Sequence, residues 1–133
     1  MLLDTGVLVA TLNRADRKHV QASAWLARNR LPLLAVEPVL GEAAFFLPAR
    51  LRAAPADLAS RGVLQVHSPD PAGHARMAEL FAKYADQDPD WTDLALVWLA
   101  ETSGVNQIAT LNVADFSVYR IKGRKRFEMA LLA

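Results

Sequence analysis

Cysteine is absent from the 133 residues. That excludes disulfides, thiolate zinc sites and cysteine nucleophiles, and it agrees with a reducing compartment without demanding one. An excess of one charge is also missing: 15 Lys and Arg face 14 Asp and Glu, for a net charge of +1. No general polyanion-binding surface is built in, so a nucleic-acid partner has to meet a local basic patch. Long apolar runs are lacking, and none is long enough to cross a bilayer. The start, "MLLDTGVLVA", carries an acid where a secretion signal has a basic region, so a cytoplasmic location is expected. Histidine is scarce. His19, His67 and His74 have no pairwise helical spacing that would seat a metal, and surface or core roles are expected for them.

What is present suffices for a core. The hydrophobic share of 53% argues against disorder. The length fits one domain over residues 1–133, with no repeat, low-complexity tract or linker-like boundary. "MLL" reads as a short strand and "TGVLVATLN" as a helix that Asp4 or Thr5 can cap. "RKHVQASAWLARN" predicts a second helix with Val20, Ala24 and Ala27 facing inward. "LPLLAVE" suits a buried parallel strand. "PVLGEAAFFLPARL" is helical until Pro48 stops it. "APADLASRG" reads as a helix ending at Gly62, and "VLQVHS" as a third strand. "DPAGHARMAELFAKYAD" predicts a capped helix with a stripe through Ala75, Ala78, Phe81 and Ala82. "DWTDLALVWLAETSG" is a helix closed by Gly104. "VNQIATL" and "FSVYRI" are expected as strands four and five, and "FEMALL" as an edge strand. Strands alternating with helices predict an α/β sandwich on a mainly parallel sheet. Ligands of such sheets gather beyond the carboxyl ends of the strands.

Four acids fall where that edge can collect them. Asp4 ends the first strand, and Asp115, in "LNVADF", follows the fourth. Glu42 shares a helix face with Val39, Phe45 and Phe46, where a carboxylate is costly unless paired or bound to a cation. Asp93 lies in the first turn of its helix, with Asp90, Leu96 and Val97 on the same face. Each acid alone has an ordinary explanation. Asp4 and Asp90 can cap helices, Asp93 can complement a helix dipole, Glu42 can pair with Arg50 or Arg52, and Asp115 can close an Asx-turn. Gathered together, however, carboxylates either take up protons or take in a cation. An oxygen-only set without His or Cys suits Mg²⁺ or Mn²⁺. The chemistry that follows is metal-dependent phosphodiester hydrolysis.

The order "LLDTGVLVATLN", "VLGEAAFFL", "DWTDLALVWLAE" and "IATLNVADFSVYR" resembles the PIN domain, and within it the VapC type of toxin ribonuclease from toxin–antitoxin pairs. The resemblance runs from Leu2 to about Arg120. It implies a PIN-like three-layer sandwich, with a central mainly parallel sheet flanked by helices, and a metal-dependent endoribonuclease leaving 5′-phosphate products. Its acids fall on Asp4, Glu42, Asp93 and Asp115. Asp4, Asp93 and Asp115 would hold Mg²⁺ or Mn²⁺ directly, and Glu42 would bind through water or act as general base. Thr5, Asn112 and Asp90 would support them. The third motif usually reads Asp-Ala, whereas Leu94 follows Asp93 here and is expected to pack into the sheet. Glu37 is an extra acid, read as surface or capping.

The basic candidates for RNA phosphates are Arg14, Arg17 and Lys18 in "RADRK", and Arg124, Lys125 and Arg126 in "GRKR". From charge alone, both segments read first as solvated turns. Trp25, Trp91 and Trp98 are read as core or dimer-interface residues rather than base platforms. The resemblance also implies an RNA substrate, a homodimer and a small antitoxin whose tail covers the acidic pocket, with no membrane partner. The alternative within the fold is a non-catalytic scaffold that binds RNA or a partner. A phosphoryl-accepting domain of the response-regulator kind is disfavoured: strand one ends in a lone Asp4, and no Lys ends strand four or five.

Overall fold

The computed structural model describes residues 1–132. Its centre is a five-stranded sheet of very short strands: β1 (Leu2–Leu3), β2 (Leu33–Val36), β3 (Leu64–His67), β4 (Gln107–Ala109) and β7 (Glu128–Met129). The order is β3-β2-β1-β4-β7, and every pairing is parallel. Leu2 sits between Leu34 and Ile108, and all of Leu2, Leu3, Ile108 and Ala109 are buried. Strands covered on both faces read as unbroken apolar runs, which is why the sequence shows no alternation there.

Helices fill the crossovers: α1 (Thr5–Leu12), α2 (His19–Arg28), α3 (Glu37–Phe46), α4 (Ala54–Ser60), α5 (Pro71–Lys83) and α6 (Trp91–Ser103). Right-handed crossovers send α1 to α4 to one face as the chain moves outward from β1 through β2 to β3. The return to β4 takes α5 and α6 to the other face, giving three layers. The direction reverses beside β1, so the switch point lies between β1 and β4, where Asp4 and Thr110 leave the sheet. Leu94 is fully buried on α6, as the packing expectation for it requires. Gly104 ends α6 in the left-handed region at φ 75°, its N–H donating to the Ala100 carbonyl at 3.0 Å.

Three readings need correction. The fifth strand expected over "FSVYRI" is mostly helix: α7 spans Val113–Val118, and only β5 (Arg120–Ile121) is extended. β5 pairs antiparallel with β6 (Lys125–Arg126), outside the main sheet. Phe116 and Tyr119 decide this. Three residues apart, they stack edge-on at 5.3 Å, with Phe127 and Tyr84 against them. A helical turn buries both rings on one side, which a strand cannot do at odd spacing. The inward stripes of α2 and α5 are also out of phase with expectation. Val20 is 81% exposed, and Ala22 and Trp25 are buried instead. On α5 the buried residues are Gly73, Met77 and Leu80, with Phe81 only half-buried. In both helices the larger side chains set the rotation, because they remove more apolar area from water than alanine does. The edge strand over "FEMALL" is found as β7.

Candidate active site

Asp4 leaves β1 in extended conformation and caps α1. Its Oδ1 accepts the Thr5 N–H at 2.8 Å, and its Oδ2 accepts the Thr110 hydroxyl at 2.8 Å. Register makes the second contact possible: Leu3 pairs with Ala109, so the residues that follow each strand emerge side by side. The Asp4 backbone N–H also donates to the Ala109 carbonyl at 3.0 Å. Thr110 in turn accepts the Asn112 N–H at 2.9 Å. Asp4 is only 8% exposed, and burial holds its carboxyl above the usual carboxylate range against the help of the Thr110 and Thr5 donors.

Asp93 is the second buried acid, 4% exposed in the first turn of α6. Asp90 caps that helix, its Oδ1 accepting the Asp93 N–H at 2.7 Å. Asp93 Oδ2 accepts the Tyr119 hydroxyl at 3.2 Å. Burial first, then the charges of Asp90 and Asp4, push the Asp93 carboxyl up to about 8. The same burial, with Asp93 and Asp115 close by, raises the Tyr119 phenol, which therefore stays a donor.

Glu42 enters from α3. Its Oε1 accepts the Thr5 hydroxyl at 2.7 Å, so two motifs 37 residues apart meet in one hydrogen bond. The apolar surround expected for Glu42 is present on one side only, since Val39 is buried while Phe45 and Phe46 are exposed. Among the described residues no arginine pairs with it; Arg52 donates instead to the Leu47 carbonyl at 3.1 Å. Asp115 lies in the first turn of α7, half-buried, and accepts the Asn112 side-chain N–H at 2.8 Å.

Asp4, Thr5, Glu42, Asp90, Asp93 and Asn112 line one open cleft of about 830 Å³. Arg17 and Lys18 lie on its wall. Asp115 is not on that lining, although its charge reaches Asp93. Arg14 is exposed and off the lining, and Arg124, Lys125 and Arg126 are exposed on and beside the β5–β6 hairpin, away from the cleft walls. Glu37 is exposed at the start of α3. Three further residues contribute to the site. Thr110 lies inside the "IATLNVADFSVYR" segment, where a hydroxyl carries no signal of its own. Tyr119 was hidden by the strand assignment, although its spacing from Phe116 was the signal. Phe46 shares the cleft, and its signal was its place one helical turn after Glu42.

A hard divalent cation fits the donor chemistry. The acids offer oxygen alone, two of them are buried, Asp93 burdened by the charges of Asp90 and Asp4 and Asp4 by those of Asp90 and Glu42, and among the described residues no ion pair touches Asp4, Glu42, Asp90, Asp93 or Asp115. Among those residues, however, no three acids or histidines stand gathered as a ready-made metal site. Each of Asp4, Asp93 and Asp115 is instead turned to its own donor, Thr110, Tyr119 or Asn112.

Comparison with known proteins bears on the fold and the family. Among solved structures, Mycobacterium tuberculosis VapC20, a toxin that cleaves the sarcin–ricin loop, superposes with a TM-score of 0.78 at 18% identity, covering 85% of this chain and 90% of that one. At that identity the likeness speaks for the fold. A comparison with curated protein sequences finds no match. Residues 1–121 match the PIN domain, well over half of the chain, and the protein therefore belongs to the PIN-domain family.

Proposed function

We propose that the protein is a metal-dependent endoribonuclease of the VapC toxin type, hydrolysing RNA phosphodiester bonds. One observation carries this: two buried carboxylates, Asp4 and Asp93, have no basic partner among the described residues at the switch point of a parallel sheet, with Glu42 held beside them by Thr5. Asp4, Asp93 and Asp115 would hold Mg²⁺ or Mn²⁺, with Asp90 and Asn112 supporting. Bound there, the ion supplies charge compensation and acidifies water. The chain's own residues do the rest. Glu42 has Oε1 engaged by Thr5 and Oε2 left to take a proton from the attacking water. Arg17 and Lys18 hold flanking phosphates on the cleft wall. Water adds at phosphorus, the bond to the 3′ oxygen breaks, and the products carry a 5′-phosphate and a 3′-hydroxyl.

With that reading go, as part of the proposal, an RNA target, a small antitoxin partner and a homodimer acting in the cytoplasm. No described helix is long and apolar enough to cross a membrane. The test is incubation of purified protein with total RNA and Mg²⁺, with and without EDTA. Wild type should cut only with metal, and Asp4→Asn should not cut. Cutting that survives both EDTA and Asp4→Asn contradicts the assignment. RNA binding without any cutting moves the protein to the scaffold class.

A further inference from the structure

Phe45 and Phe46 end α3 with 77% and 64% of their surface in water. Their rings lie edge-to-face, 5.2 Å apart at 84°. Two adjacent exposed phenyl rings at the end of one helix indicate a partner. Phe46 is also held in place. Leu47, the next residue, is 1% exposed, its N–H bonded to the Ala43 carbonyl at 3.0 Å and its carbonyl to Arg52 at 3.1 Å. Pro48 follows in extended conformation at φ −61° and prevents the helix from continuing. The ring therefore projects from a fixed helix end, with Phe45 bracing its edge.

The surroundings select the partner. Phe46 lines the acidic cleft, one helical turn from Glu42, and Arg17 and Lys18 line the same cleft. An apolar protein surface would have to bury the unpaired acids beside the ring, at high desolvation cost. A nucleotide brings a flat π-face for the phenyl ring and a phosphate for the basic side chains. We propose that Phe46 is the base-stacking platform of the cleft, taking an unpaired RNA base next to the phosphate that is cut, with Phe45 fixing its angle. The inference rests on the ribonuclease reading and narrows it to substrates whose bases are splayed out of a helix, such as loops and single strands. Stacking is tolerant of base identity, so Phe46 contributes affinity and position rather than sequence choice.

The experiment uses Asp4→Asn protein, in which Asn still caps α1, so that binding is read without cleavage. Two fluorescein-labelled probes are titrated by anisotropy: a single-stranded RNA of mixed sequence and the same ribose-phosphate chain with abasic positions. Adding Phe46→Ala should weaken RNA binding about 5- to 100-fold and leave abasic binding unchanged. Phe46→Trp should restore it, and melting temperatures should match, because the ring is outside the core. Equal loss on both probes, or no loss on RNA, overturns the platform. A change of oligomeric state by light scattering with RNA affinity intact assigns the rings to a protein interface and overturns it too. If the parent binds neither probe, the ribonuclease reading falls and the platform with it.

Discussion

Asp93→Asn should make the metal-free protein more stable, and the size of the gain should follow pH. Asp93 is 4% exposed, with its carboxyl pushed from 3.8 to about 8 by burial and by Asp90 and Asp4. The folded chain therefore holds a proton that the unfolded chain has released throughout that window, and stability falls as pH rises through it. Converting the whole shift gives a ceiling of about 6 kcal/mol. Relaxation around the buried carboxyl leaves a gain of about 1–3 kcal/mol from removing the charge. Asparagine keeps an acceptor for the Tyr119 hydroxyl, now 3.2 Å from Oδ2, so little else is lost. Thermal unfolding in EDTA should show the variant roughly 3–10 °C above wild type at pH 8.5 and level with it near pH 4. Mg²⁺ should raise wild type and leave the variant unmoved. A variant less stable at pH 8.5, or one whose gain is the same at both pH values, refutes the reasoning.

Tyr119→Phe removes the donor to Asp93 while keeping the aromatic cluster, and should cost about 10- to 100-fold in RNA cleavage or metal affinity; activity equal to wild type would release Tyr119 from the site. Thr110→Val deletes the hydroxyl shared by Asp4 and Asn112 and should destabilise the fold by about 1–3 kcal/mol in denaturant titration. An unchanged midpoint would place water where the hydroxyl now bonds. Removing both Arg17 and Lys18 should weaken RNA binding alike across sequences and flatten its salt dependence by about one unit per charge lost, whereas Arg124→Ala and Arg126→Ala should change it less, because those residues lie off the cleft.

The part of the site that rests on local chain geometry was legible from sequence. Asp4 and Asp90 sit where an acid must sit to cap a helix, and the order of apolar runs located β1, β2 and β4. Glu42 was singled out for a good reason with a wrong detail, since the face it shares with Phe45 and Phe46 opens to water. The rest depended on register and rotation. Thr110 reaches Asp4 across 106 residues only because Leu3 pairs with Ala109. Tyr119 reaches Asp93 only because Val113–Val118 coils. Alternation and helical spacing compete over so short a segment, and tertiary packing of Phe116 against Phe127 settled it. The stripes of α2 and α5 failed for a similar reason: counting apolar residues weighs alanine with tryptophan and methionine, whereas buried area does not.

Calorimetric titration of Mn²⁺ into the purified protein tests the central claim most directly. One tight site in wild type, lost in both Asp4→Asn and Asp93→Asn and accompanied by proton release near pH 7, is the predicted result. No binding to wild type, or equal binding to all three proteins, would show that these acids do not form a metal centre.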